Sequence, residues 1–150
     1  MKKHKFKDSL EQGKEGERLF LDKMTDKVVQ LDGLKADFKL LADNRLVELK
    51  SDFYDMSATD NFFMERWSNS TKKSNGGPWQ ALDNNTDLFV YWFPLNNYMY
   101  VFETTKLVEK LKNVTKDMEL VKILNKGYIT LGYKVERSLL KDVILQEKEI

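Results

Sequence analysis

Leu88 to Phe93, Leu-Phe-Val-Tyr-Trp-Phe, constrains this chain more than any other stretch. A strand with one wet face alternates apolar and polar residues. A run that is apolar at every position reads as a strand buried in the middle of a sheet. Pro94 to Asn97 then turns the chain into a second strand, Tyr98 to Phe102. Thr105 to Lys112 follows as a helix with Leu107, Val108 and Leu111 inward.

Upstream, Ser9 to Met24 reads as an amphipathic helix with Leu10, Phe20, Leu21 and Met24 on one stripe. Val28 to Leu31 is a short strand, ended by turn chemistry at Asp32-Gly33. Ala36 to Leu41 and Leu46 to Lys50 form two strands around the loop Ala42-Asp43-Asn44-Arg45. Asn61 to Trp67 is a further strand, Ser68 to Pro78 a polar loop, and Trp79 to Leu82 a short helix. Lys122 to Leu140 alternates weakly and reads as one or two edge strands. No repeat, linker or low-complexity tract divides the chain, so residues 1–150 form one domain. The order of elements describes an α/β sandwich around a mixed sheet.

Composition limits the chemistry. There is no cysteine and only one histidine, His4, which removes thiolate zinc sites, cysteine nucleophiles and Ser-His-Asp triads. Catalysis here would run on carboxylates, lysines, hydroxyls and a hard cation. Lys+Arg number 25 against 24 Asp+Glu, so net charge points to no partner and distribution matters more. Lysines gather at Lys2, Lys3, Lys5 and Lys7, at Lys72 and Lys73, and at Lys106, Lys110 and Lys112; each cluster alone is an ordinary solvated face. No apolar stretch has the length of a membrane span, and the start lacks the apolar core of a secretory signal. The expectation is a soluble, cytoplasmic protein without a membrane partner.

One acidic constellation stands out: Asp37, then Glu48 and Lys50 in Leu46-Val47-Glu48-Leu49-Lys50. Pairing Leu41 with Leu46 puts Lys39 opposite Glu48 and Asp37 opposite Lys50, all four on one sheet face. Phe38, Leu40, Val47 and Leu49 take the other. Opposed residues sit roughly 5 Å apart at Cβ and diagonal ones about 7–8 Å, so two carboxylates there can grip one cation. Glu17 lies on the helical stripe of Phe20 and Leu21, where a carboxylate needs either an ion pair or a cation.

Such a set suits metal-assisted attack of water on a phosphodiester. Asp37 and Glu48 would hold Mg²⁺, with Mn²⁺ able to substitute, and the Leu49 carbonyl would ligate beside them. Glu17 would join as a further ligand, directly or through water. Lys50 would orient the water or offset charge developing on phosphorus.

Asp37, Glu48-Leu49-Lys50 and the helix glutamate in Gly16-Glu17-Arg18 resemble the PD-(D/E)xK nuclease superfamily over residues 13–50. Ala36 stands where the motif's name calls for proline. The resemblance implies a restriction-endonuclease-like fold, a mixed central sheet flanked by helices. It also implies a magnesium-dependent deoxyribonuclease with Glu17, Asp37, Glu48 and Lys50 catalytic. Size and first helix are most similar to Holliday-junction resolvases, homodimers that cut branched DNA in recombination. A restriction or repair nuclease, or a single-strand exonuclease, would share every catalytic residue, and a non-catalytic DNA-binding module on this fold stays open.

For DNA contacts the expected residues are Lys72 and Lys73 in the polar loop and Lys3 and Lys5, and the resemblance adds Gln80 on the following helix, pointing into the site. The loop is either a clamp over the backbone or an ordinary surface loop. Residues 1–8 are either a DNA-contacting arm or a flexible tail. Trp67, Trp79 and Trp92 are candidates for base stacking or for core packing. Glu65 would join the metal cluster if its strand neighbours that of Glu48, which alternation cannot place; otherwise Glu65 and Asp87 read as structural.

Overall fold

A computed structural model describes residues 9–32 and 36–150. Helix α1 (Ser9–Lys23) leads into the antiparallel strands β1 (Val28–Gln30), β2 (Phe38–Leu40) and β3 (Leu46–Ser51). β4 (Asn61–Asn69), β5 (Ser74–Asn75) and α2 (Gly77–Asp83) carry the chain across to β6 (Leu88–Phe93), which pairs parallel with β3. β7 (Tyr98–Glu103), α3 (Thr104–Val114), β8 (Val121–Asn125), β9 (Tyr128–Glu136) and β10 (Ile144–Glu149) complete the fold. The central six-stranded sheet is mixed, ordered β1-β2-β3-β6-β7-β10, and a second sheet is ordered β5-β4-β9-β8.

Every residue of β6 is buried, as its unbroken apolar run requires. One face of the central sheet is covered by α1. Phe20 packs its ring 5.3 Å from Phe38 and 5.7 Å from Trp92, above Val47, Leu49 and Val90. The opposite face presents Phe89, Tyr91, Phe93 and Phe102 to Phe62 and Met64 of β4 and to Leu107 and Leu111 of α3. No helix among the described residues is long and apolar enough to cross a membrane.

Several expectations need correction. The β2–β3 register pairs Phe38 with Val47 and Lys39 with Leu46, two residues from the expected pairing. The hairpin closes one residue earlier: Leu40 N–H donates to Arg45 O and left-handed Asn44 (φ 65°) makes the turn. A slip of two preserves alternation, so Val47 and Leu49 stay buried and Glu48 and Lys50 stay together on the other face. β4 does not join the central sheet; it pairs with β5 and β9. The expected Ser68–Pro78 loop is mostly the tight β4–β5 hairpin. In the C-terminal third β8 is an edge strand as expected, β9 is flanked by β4 and β8 and is not, and β10, which sequence patterning missed, caps the central sheet beside β7. Leu10 is exposed and not on the buried stripe of α1.

α1 approaches β3 through Gly16. A Cβ there would lie 1.9 Å from Ser51 Oγ and 2.3 Å from Ser51 Cβ. Alanine normally improves a helix interior by roughly 1 kcal/mol over glycine. Here Gly16→Ala is expected to cost about 1–3 kcal/mol in urea unfolding, because the clash forces α1 off the sheet. Adding Ser51→Gly should recover most of the loss. A stabilised single variant would show that α1 is not seated on Ser51.

Candidate active site

Asp37 precedes β2 and brackets Glu48. Its N–H donates to Val47 O at 2.9 Å, and its Oδ2 accepts from Leu49 N–H at 2.8 Å. The side chain therefore takes a ladder position that a backbone carbonyl would ordinarily fill. In a strand, a residue's N–H and C=O point to the same side, so the Leu49 carbonyl is directed toward Asp37 as well. Glu17 reaches the same place from α1, and Gln30 Nε2, at the end of β1, donates to its Oε1 at 3.4 Å.

A fourth carboxylate joins them. Glu65 of β4 lies close enough to Glu48 to repel it, as do Asp37 and Glu17. Its backbone setting explains the approach: a Cβ on Gly76 would lie 2.3 Å from Glu65 Oε2, so only glycine admits the glutamate against the entry to α2. Glu65 thus meets the condition set for it, that β4 bring it near the strand of Glu48. Buried Phe62 and Met64 placed Glu65 on the opposite side of β4, yet alternation does not name the neighbouring strand. The Gly76-Gly77 pair was the available signal for close backbone approach.

β4 is held here by a buried phenol. Tyr91 of β6 donates its hydroxyl to Asp52 Oδ2 at 2.5 Å and accepts from Phe63 N–H at 2.8 Å. Burial, then the Asp52 carboxylate, push the Tyr91 pKa well above its ordinary value, so the phenol stays protonated. Lys50, beside Tyr91 in the β3–β6 register, extends its Nζ over the Phe63 ring at 5.8 Å. It is thus on the face of Glu48 and Glu65.

Protonation follows from this crowding. Burial raises the Glu48 pKa to about 8, with Asp37, Glu17 and Glu65 adding repulsion in that order. Burial also raises Asp37, against the lowering hydrogen bond from Leu49. Glu17 is raised by burial and then by Asp37. Among the described residues no three acidic side chains converge on one point as a formed ligand set. The donor set itself, carboxylate and carbonyl oxygens with no nitrogen or sulfur, suits Mg²⁺ or Mn²⁺.

The remaining candidates lie elsewhere. Lys72 and Lys73 are exposed in the β4–β5 turn, and Gln80 is exposed on α2. Lys3, Lys5 and the rest of residues 1–8 fall outside the described residues. Trp92 is fully buried and Trp79 nearly so, which removes both as open stacking platforms; Trp67 is half-buried beneath Arg66. Asp87 is structural, its Oδ2 accepting from Leu46 N–H at 2.8 Å. No protein-family model, curated protein or solved structure matches this chain.

A carboxyl that titrates near 4.5 when unfolded and near 8 when folded binds its proton more tightly in the native state. Its stabilising contribution is complete below about pH 4.5 and is lost as pH rises through about 8. With chelator present, the urea midpoint is expected to fall across that window. Glu48→Gln should flatten the profile, and millimolar Mg²⁺ or Mn²⁺ should raise the midpoint at the alkaline end. A parental profile that is flat without metal would contradict this electrostatic picture.

Proposed function

We propose that this chain is a divalent-cation-dependent deoxyribonuclease that hydrolyses phosphodiester bonds. The observation that carries the reading is the mutual repulsion of Glu17, Asp37, Glu48 and Glu65, contributed by α1, the segment before β2, β3 and β4, on the sheet face that also carries Lys50. A chain with no use for a cation gains nothing from collecting like charges around a half-buried glutamate. The order of α1, the β1–β3 meander and a crossover to parallel β6 supports the likeness to the PD-(D/E)xK superfamily, as does the shared face of Glu48 and Lys50.

Bound among these oxygens, Mg²⁺ or Mn²⁺ would polarise the phosphoryl group and lower the pKa of a coordinated water. Asp37 and Glu48 are its main holders, with the Leu49 carbonyl beside them. Asp37 is fixed by Leu49 N–H, so its second oxygen is free to face the cation. Glu17, steadied by Gln30, and Glu65, set against Gly76, close the two sides of the site. Lys50, held over Phe63, orients the attacking water or offsets charge on the phosphoryl oxygens.

Structure-selective cutting of branched DNA, as by a Holliday-junction resolvase, is the specific form we favour. It requires a homodimer, because paired symmetric nicks need two such sites.

The test is cleavage of labelled four-way junction, flap, duplex and single-stranded DNA with Mg²⁺ or Mn²⁺. Asp37→Asn and Glu48→Gln are expected to reduce cutting to background while DNA binding persists. Lys50→Ala should slow turnover by on the order of 10²–10³-fold with metal binding retained. Glu17→Gln and Glu65→Gln should each cost about 10–100-fold. Paired nicks in the junction would establish the resolvase form, and mutant-sensitive cutting of another substrate would keep only the nuclease. Parental-rate cutting by Glu48→Gln would remove the proposal, and no cutting of any substrate would favour a DNA-binding module.

A further inference from the structure

A second polar cavity, of about 420 Å³, lies beside the residue that follows Glu65. β4 advances from Glu65 to Trp67 while its partner β9 steps only from Gly132 to Leu131, leaving Arg66 as the extra residue of a bulge. Bulges re-aim side chains, and this one sends Arg66 into the cavity wall. Lys112, in the last turn of α3, and Lys116, just beyond it, line the same cavity.

These three cations are unspent. Among the described residues none has a carboxylate within salt-bridge distance. The acid in the lining, Asp83, already accepts from Asn75 Nδ2, and Asn75 Oδ1 accepts from Arg66 Nη1 at 2.7 Å. That is the one hydrogen bond of the Arg66 guanidinium among the described residues, and a guanidinium has five donors. Its plane is held by aromatic faces, 3.9 Å from the Trp67 ring centroid and 5.0 Å from that of Trp79. A fixed fork with spare donors and two flanking ammonium groups is the recognition chemistry of a phosphate. The cavity is larger than a bare anion needs, falls in the size range of small-molecule sites, and has half-exposed Tyr133 beside Trp79 as an aromatic wall.

We propose that this cavity binds a nucleoside phosphate, with the phosphate on Arg66, Lys112 and Lys116 and the nucleoside against Tyr133. The ligand is either a free nucleotide or the phosphorylated end of a nucleic-acid strand. The site does not depend on the carboxylates, although Glu65 and Arg66 are consecutive and one strand separates the two.

The test is calorimetric titration in chelator with deoxyadenosine monophosphate, deoxyadenosine, inorganic phosphate, and oligonucleotides with and without a 5′-phosphate. The monophosphate should bind about tenfold or more tighter than deoxyadenosine or inorganic phosphate. The exposed pair Lys112→Ala/Lys116→Ala should lose about tenfold, as should Arg66→Lys, which keeps the charge and loses the fork. Glu48→Gln should bind as the parent does, so this site and the nuclease reading stand or fall separately. A phosphate-dependent preference for the oligonucleotide, lost in the double variant, would support the proposal with a strand end as the ligand. Monophosphate binding without that preference would support it with the free nucleotide. Absence of both, or binding undiminished in the double variant, would overturn it.

Discussion

The Tyr91 hydroxyl is the polar joint between the two sheets. Tyr91 belongs to the central strand β6, yet its oxygen serves the end of β3 through Asp52 and the start of β4 through Phe63 N–H. All around it are Phe62, Phe93 and Tyr100. An unpaired donor or acceptor in such a place would cost about 1–3 kcal/mol, so the three groups hold one another in place. β4 belongs to the second sheet and receives none of the central sheet's ladder. The position of Glu65, two residues beyond Phe63, follows from this joint as much as from any pairing in β4.

The parts of the fold legible in the sequence were those where periodicity identifies a face. Continuous apolarity marked β6 as central, and the alternation around Glu48 set it with Lys50 opposite Val47 and Leu49. A two-residue error in register left that assignment intact, because faces repeat every second residue. Periodicity does not name neighbours. It could not say that β4 would pair with β9 in a second sheet, nor that Glu65 would come to rest near Glu48. Short polar strands such as β5 carry too few residues to show a period at all. β10, Ile-Leu-Gln-Glu-Lys-Glu, is mostly exposed at the sheet's edge and offers no apolar alternation to read.

The near balance of 25 basic and 24 acidic residues conceals a sharp separation of charge. On one side of β4 lie the four carboxylates, with Lys50 on their sheet face and its ammonium over Phe63. On the other, Arg66, Lys112 and Lys116 surround a cavity whose one acid is already hydrogen-bonded. Each cluster carries an unfavourable self-energy of its own. A polyanion that bridged them would meet a surface of carboxylates and a surface of cations in succession.

The bulge at Arg66 also bears on how this strand tolerates change. On both sides of it the β4–β9 ladder is in step, Met64 with Tyr133 and Glu65 with Gly132 before it, Trp67 with Leu131 after. Excising the extra residue would leave each of those pairs facing the partner it faces now. Arg66 has no partner in that ladder, and what ties it in is its carbonyl, which accepts from Gly76 N–H at 3.1 Å. Its loss would take away both the guanidinium of the cavity and the carbonyl that receives Gly76, the glycine against which Glu65 lies, so a single-codon deletion would be felt at both sites.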